Sequence, residues 1–199
     1  ESSRSRALYG RAVNVMPGGN TRHSVALSPY PVYIDSGQGC RVRDVEGEVR
    51  IDYLNNFTSL ILGHADPDVT AAASARIAKG TAFAGPTELD VELAELLVDR
   101  VPAIDRVRFC NSGSEAVMLA VKAARAFTGR PKIAKIEGAY HGIYDYAQIS
   151  EYPTEETWGP ADRPLSVTDP GSPRSEGAEV VVMPWNDADV CARLIEEHH

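Results

Sequence analysis

The chain has 199 residues, 43% hydrophobic and 24% charged, which is typical of a globular protein with one good core. Its net charge of −8 argues against nucleic acid or an anionic membrane as a partner, because both select a cationic surface. Three widely spaced cysteines without a CxxC pair argue against a disulfide framework or a structural metal site. No stretch resembles a membrane span or a secretory signal, so we expect a cytoplasmic protein.

The first sixty residues predict a helix followed by a small antiparallel subdomain. Apolar residues at helical spacing predict a helix over residues 1–16, which the breaker Pro17-Gly18-Gly19 ends. Three short strands are predicted to follow: Pro31–Ile34, Cys40–Asp44 and Val49–Leu54. We expect Asp35-Ser36-Gly37 to separate the first two strands, and residues 45–48 to form a tight turn before the third.

Residues 61–199 alternate between helical and strand patterns. Asp66 and Pro67 predict the N-cap and first residue of a helix that extends to Lys79. Further helices are predicted at Thr87–Arg100, Ser114–Phe127 and Asp189–Glu197. Strands are predicted at Arg106–Cys110, Lys132–Ile136 and Glu179–Met183. Alternation of this kind is typical of βαβ units and implies a parallel sheet.

The turn Asn111–Ala116 between a predicted strand and a predicted helix suits an anion. We expect the backbone N–H groups of Gly113, Ser114 and Glu115 to point out of the helix start, where the helix dipole favours negative charge. The hydroxyls of Ser112 and Ser114 can add donors, so the residue types fit a phosphate group. An ordinary capped turn, with either serine as the N-cap, explains the same residues. The turn lacks the signatures of nucleotide-binding loops.

The loop Glu137–Gly142 follows the next predicted strand. Because ligands of open α/β sheets bind beyond the carboxyl ends of the strands, we expect this loop and the preceding turn to face one crevice. Tyr140 lies between small residues and is free to stack on a flat aromatic ligand. The alternative is a structural tyrosine beside a hydrogen-bonded histidine, His141.

Together these segments resemble the class III aminotransferases, within them the branch of glutamate-1-semialdehyde aminomutase and β-amino-acid aminotransferase. The resemblance is carried by Asn111–Ala116, Ala123–Arg130 and Glu137–Gly142. Further segments match in the same order: Met16–Gly19, Asp44–Gly47, Leu62–Pro67 and Gly85–Glu88. The resemblance therefore extends over nearly the whole chain.

The resemblance implies an α/β protein with the pyridoxal-phosphate-dependent transferase (aspartate aminotransferase-like) fold. Residues 1–60 would form the amino-terminal helix and small subdomain, and residues 61–199 the first part of the large, mostly parallel-sheet domain. The implied cofactor is pyridoxal 5'-phosphate (PLP), the implied activity is amino-group transfer on a small amino acid or amino-aldehyde, and the implied assembly is a homodimer.

The resemblance also implies roles for individual residues. Gly113 and Ser114 would hold the PLP phosphate, with Ser112 adjacent. Tyr140 would stack on the pyridine ring, and His141 would shape that wall.

Two residues of the amino-terminal part are implied to contact the substrate. Arg22 falls where the β-amino-acid branch places an arginine that binds the substrate carboxylate, a contact that a guanidinium can make in bidentate fashion. The alternative is an exposed loop cation. Phe57 occupies the place where aminomutases tend to carry a tryptophan, which argues against the aminomutase reaction and leaves the substrate open.

The resemblance places the Schiff-base lysine and the carboxylate partner of the pyridine nitrogen beyond residue 199. None of the four lysines stands in that position: Lys79, Lys122, Lys132 and Lys135. We therefore expect no catalytic residue in this chain, which ends inside an apparent helix as a cut chain would, and no transamination by this segment alone. The rival hypothesis is a non-catalytic truncated homologue that serves as a binding or dimerisation module.

Overall fold

The computed structural model describes residues 3–198, which form two compact units, Glu1–Thr87 and Glu88–His199. Each unit has its own sheet and is described by itself. The sequence-based division after residue 60 remains a prediction about the complete domains.

The first unit combines three helical segments with an antiparallel sheet. Its helical segments are α1 (Arg4–Ala12), the single turn α2 (Asn55–Thr58) and α3 (Pro67–Ile77), with short 3-10 turns at Pro17–Gly19 and His23–Val25. Its strands are β1 (Ile34–Gln38), β2 (Arg41–Asp44) and β3 (Val49–Ile51), which pair in chain order. The N-cap of α3 is as predicted, since the Asp66 carboxylate accepts from the N–H groups of Asp68 and Val69.

The predicted turn at residues 35–37 is wrong. Ser36 pairs with Arg43 and Gly37 with Val42, so these residues lie inside β1, and the chain reverses around Gly39, whose φ is +54°. Gly37 is required here because a Cβ atom on it would lie 2.9 Å from Nδ1 of His64. The glycine in this segment is there because the His64 side chain approaches the backbone closely, and not because the chain reverses.

The turn between β2 and β3 is built around Asp44, a buried carboxylate. Its Oδ1 accepts from the N–H groups of Glu46 at 3.1 Å and Glu48 at 2.8 Å, and its Oδ2 accepts from the Arg50 guanidinium at 2.9 Å. Burial alone would raise the pKa of Asp44, but these donors outweigh it and lower the pKa. Gly47, with φ +95°, supplies the left-handed residue that completes the predicted turn.

The same turn anchors α1. The Glu46 carboxylate accepts from the Ser3 hydroxyl at 2.6 Å and from the N–H and hydroxyl of Ser5 at 2.8 and 2.9 Å. These donors, the Ser3 hydroxyl above all, lower the pKa of Glu46 to about 2. The helix is shorter than predicted and ends at Ala12, five residues before the breaker at Pro17.

The second unit combines four helices with a two-stranded parallel sheet. The helices are α4 (Glu88–Arg100), α5 (Gly113–Thr128), α6 (Asp145–Gln148) and α7 (Ala188–Glu197), with a 3-10 segment at Arg174–Glu179. The strands β4 (Ile133–Ile136) and β5 (Val180–Met183) pair in parallel from Ile133 with Val180 to Ile136 with Met183, which confirms the predicted parallel sheet. A core cluster is formed by Ile149, Val180 and Val182, against which Ile133 and Tyr146 pack.

The predicted strand at residues 106–110 is wrong for the part of the chain that the structure describes. Within residues 3–198, no strand pairs with this apolar segment. A strand needs a neighbour to satisfy its backbone groups, and local pattern does not reveal whether one is present.

Among residues 3–198, no helix is both long enough and apolar enough to cross a membrane.

We predict that Glu46→Gln lowers the melting temperature by a few degrees at neutral pH, because the ionised carboxylate anchors α1. The native pKa is lowered, so the stabilising contribution is fully present above the ordinary value of 4.5 and is lost as the pH falls toward about 2. Thermal unfolding at several pH values should show the variant and the wild-type protein converging in acid. Glu48→Gln, an exposed change in the same turn, is the control, and an equal effect of both variants would contradict the anchoring role.

Candidate functional site

Helix α5 begins with a side-chain cap. Ser112 is extended, with φ −150°, and its Oγ accepts from the Glu115 N–H at 3.2 Å. The expectation that the Glu115 N–H is free is therefore wrong, because Ser112 satisfies it. The Glu115 carboxylate turns back and accepts from the Asn111 N–H at 2.7 Å, an arrangement close to a capping box.

The next two backbone donors are open. No hydrogen-bond acceptor is present for the N–H groups of Gly113 and Ser114 among residues 3–198, and a Cβ on Gly113 would meet nothing within 4 Å. The hydroxyls of Ser112 and Ser114 each accept a backbone N–H, so each can still donate its own proton. The helix start thus offers up to four donors beside an open space, which fits a phosphate group.

The loop after β4 lies directly against this helix start. The Ser114 hydroxyl accepts from the Ile143 N–H at 3.1 Å. Gly142 has φ +91°, and a Cβ on it would lie 2.8 Å from the Cα of Ser114. The structure therefore brings together the two segments that were expected to face one crevice.

The loop presents Tyr140 and His141 outward. Tyr140 is 63% exposed and His141 is exposed, and neither side chain makes a hydrogen bond within the described residues. A hydrogen bond with Glu151 is the main cause that raises the pKa of the Tyr152 phenol, and the neighbouring Tyr140 adds to the rise. A solvent-facing ring free of polar partners fits stacking on an aromatic ligand better than a structural tyrosine.

In the first unit, Arg22 and Phe57 are in contact. The Arg22 guanidinium carbon lies 5.0 Å from the centroid of the Phe57 ring, a cation–π distance. Arg22 Nη2 also donates to the Asn56 Oδ1 at 3.1 Å. The guanidinium is exposed and makes no ion pair with a carboxylate of the described residues, so most of its donors remain available for an anion.

The partners of Arg22 stand on a strained turn. Four consecutive non-glycine residues, Asn55 to Thr58, have positive φ between 47° and 70°. Such a left-handed run is rare and costs free energy at each residue. Asparagine tolerates it best, and the Asn55-Asn56 pair is the signal in the sequence from which the turn could have been predicted.

A hydrogen-bonded pair, Asp52 and His64, holds the start of this turn. The Asp52 Oδ1 accepts from the N–H groups of Leu54 and Asn55 at 2.9 Å, and its Oδ2 lies 2.7 Å from the His64 Nε2. The hydrogen bond with His64 is the main cause that lowers the pKa of Asp52. Sequence reasoning missed Asn56, Asp52 and His64, because their spacing of 4 and 12 residues carries no local signature.

The family follows from a match over most of the chain. The model of the class III aminotransferase family matches residues 23–152. The chain belongs to the class III aminotransferases. Phe57 and the segment from Ser112 to His141 lie inside the matched region, and Arg22 directly precedes it.

Similar proteins include aminomutases and transaminases. A glutamate-1-semialdehyde 2,1-aminomutase from Methanothermobacter thermautotrophicus is 42% identical over 97% of this chain and 44% of its own. The crystal structure of an omega-transaminase from Sphaerobacter thermophilus has 49% identity and a TM-score of 0.94, over 99% of this chain and 45% of its own. A structure described as a transaminase with PLP bound has 49% identity and a TM-score of 0.89, over 98% and 44%.

These similarities establish the fold of this class III aminotransferase chain as that of the PLP-dependent transferases. The chain spans less than half the length of each of these relatives. The residues described here therefore correspond to one part of such a protein.

We predict different effects for two glycine substitutions, one on stability and one on phosphate binding. Gly142→Ala should lower the free energy of unfolding by about 1–3 kcal/mol, because the methyl group combines a positive φ with a clash against Ser114. Gly113→Ala should leave stability unchanged, since its methyl group enters open space, but should weaken binding of inorganic phosphate. Urea unfolding and calorimetric titration measure the two effects. Equal destabilisation by both variants, or unchanged phosphate binding by Gly113→Ala, would contradict this account of the helix start.

Proposed function

We propose that the complete polypeptide is a PLP-dependent aminotransferase, and that this chain supplies its phosphate site and ring wall. The observation that carries the proposal is the contact between the open start of α5 and the loop that bears Tyr140. A site for a phosphate and a site for a flat ring lie side by side there, which is the combination that PLP needs. The 49% identity to a transaminase with PLP bound supports the same assignment.

The residue roles follow from the donors that are present. The N–H groups of Gly113 and Ser114 and the hydroxyls of Ser112 and Ser114 bind the phosphate, and Tyr140 stacks on the pyridine ring beside His141. When bound, PLP supplies the electron-withdrawing ring that activates the carbon bearing the amino group. This chain's own contribution is to bind and orient the cofactor.

The lysine that binds PLP covalently is proposed to lie outside this chain. Lys135 is buried and its ammonium donates to three backbone carbonyls, so it is not available as a nucleophile. Lys132 lies 3.1 Å from the His198 ring, and Lys79 and Lys122 are exposed. None of the four lies on the loop of Tyr140 or at the start of α5.

Transfer between two molecules is favoured over 2,1-aminomutase activity. Phe57 replaces the tryptophan that the family resemblance associates with aminomutases, and it lies against Arg22. The identity to two transaminases, 49%, also exceeds the 42% to the aminomutase. We further propose a homodimer, which is supported by two large apolar side chains of the first unit, Tyr53 and Ile61, that are about 90% exposed.

We predict that the complete polypeptide binds PLP and transfers an amino group from an amino acid to a keto acid. Tyr140→Ala should weaken PLP binding about tenfold through the loss of ring stacking. Titration followed by visible absorbance measures the affinity, and mass spectrometry of the products measures the transfer. Phe127→Ala is the control, since that aromatic residue lies at the other end of α5, about 20 Å from Ser112. A wild-type protein that binds no PLP would instead support a non-catalytic homologue.

Arg22 is proposed to bind the substrate carboxylate. We predict that Arg22→Lys raises KM for a carboxylate-bearing amino acid about ten- to hundredfold with little change in kcat, because lysine cannot make a bidentate contact. An amine substrate without a carboxylate should be unaffected. Steady-state kinetics with both substrates measure this, and Arg76→Lys, an exposed change on α3, is the control. Equal KM changes for the two substrates would exclude the carboxylate role.

A further inference from the structure

Lys135 is a buried lysine that the proposed chemistry does not use. It lies in β4 and is only 6% exposed, although lysine ammonium groups are almost always in water. Its Nζ donates to the carbonyl oxygens of Ala139 at 3.0 Å, Ala147 at 2.9 Å and Ile149 at 2.6 Å. Since an ammonium has three protons, every donor is used.

The three carbonyls belong to both ends of one segment. Ala139 immediately precedes Tyr140, whereas Ala147 lies in α6 and Ile149 directly follows that helix. One ammonium group therefore joins the beginning of the loop to its end. One backbone bond reinforces the closure, from the Gly138 N–H to the Ser150 carbonyl at 2.8 Å. The Glu137 N–H donates to the Met183 carbonyl of β5 at 2.9 Å and so holds the start of the loop to the sheet.

The charge of Lys135 is held by carbonyl groups and not by an ion pair. No carboxylate of residues 3–198 forms an ion pair with its Nζ. Burial lowers the pKa of Lys135, and the charge of nearby Glu151, itself buried, opposes that shift. A buried ion is costly, and an apolar side chain of similar volume often serves stability as well or better. Stability alone therefore does not explain a lysine here, whereas fixing three carbonyls in space does.

The other side of the segment is held by the phosphate site. Ser114 accepts from the Ile143 N–H at 3.1 Å and contacts Gly142. The loop is thus attached to β4 by Lys135 and to α5 by Ser114, and Tyr140 stands between these two attachments. The side chain of Tyr140 has no hydrogen bond of its own within the described residues, so its place depends on the backbone on either side.

We propose that Lys135 is a positioning residue for the ring wall, because its ammonium fixes the segment from Gly138 to Ile149 and so places Tyr140 beside the phosphate site. The identity of the ligand as PLP rests on the proposed function above. The closure of the segment by Lys135 is independent of that function and is tested separately below.

The first test uses the ligand-free complete polypeptide. Lys135→Met keeps an unbranched side chain, one atom shorter, and removes all three donors. Hydrogen–deuterium exchange should increase at least tenfold in residues 138–150 and remain unchanged in α5. Lys132→Met, an exposed change directly before the same strand, is the matched control and should leave exchange unchanged. Unchanged exchange at residues 138–150 in Lys135→Met would overturn the proposal.

The second test measures coupling to Tyr140. Lys135→Met should weaken PLP binding about tenfold, and the double variant with Tyr140→Ala should be no weaker than Tyr140→Ala alone. A merely structural role would give additive losses, which would also overturn the proposal. If the wild-type protein binds no PLP, the proposed function fails, while the exchange experiment still decides whether Lys135 closes the segment.

A third measurement covers the case in which Lys135→Met does not fold. Acetic anhydride acylates accessible amines, so mass spectrometry of the briefly treated wild-type protein should show Lys132 modified and Lys135 protected at least tenfold. Equal modification of the two lysines would mean that the three carbonyl contacts are not maintained, and the positioning role would then be excluded.

Discussion

The hydrogen bond from the Ile143 N–H to the Ser114 hydroxyl is the interaction on which the site in the second unit depends. A helix start attracts anions whatever surrounds it, and an exposed tyrosine has no particular ligand. Ser114 joins the start of α5 to the loop of Tyr140, so that an anion site and an exposed aromatic ring lie side by side on one surface. Gly142 is required for this contact, because any side chain at that position would meet the Ser114 backbone.

In the first unit, a strained turn positions the side chains that contact Arg22. The left-handed turn from Asn55 to Thr58 costs about 1–2 kcal/mol for each residue with a Cβ atom. It persists because Asp52 satisfies two N–H groups at its start and is itself held by His64. Such turns tend to occur where a side chain must be aimed, and this one aims Asn56 and Phe57 at the Arg22 guanidinium.

Features set by local chemistry could be predicted from the sequence. The Asp66 cap of α3 and the tight turn at Gly47 depend on residues close in the chain. The alternation of helical and strand patterns predicted the parallel pairing that β4 and β5 show. The meeting of the turn at Ser112 with the loop at Tyr140 was predicted from the rule that the carboxyl ends of parallel strands face the same edge. The two segments do meet, although residues 106–110 form no strand in the described part of the chain.

Features set by distant partners could not be predicted. The start of β1 depends on its register with β2, and Gly37 reads as a turn residue although it marks the approach of His64. The Glu115 N–H was expected to be free because the same serine pattern serves capping and anion binding alike. In the sequence Lys135 is one lysine of a predicted strand, and only the folded loop reveals the three carbonyls around its ammonium.

The similarity of this chain to both an aminomutase and transaminases limits which residues can determine the reaction. An aminomutase and two transaminases match almost all of this chain at 42% and 49% identity, so the fold itself does not separate the two reactions. Under the proposed function, binding the phosphate and the ring is a requirement common to both reactions, and the start of α5 is proposed to serve it. Discrimination would then arise from side chains proposed to contact the substrate, such as Phe57, or from the remainder of the polypeptide. A strained turn suits such a role, because exchanging one side chain on it alters the surroundings of Arg22.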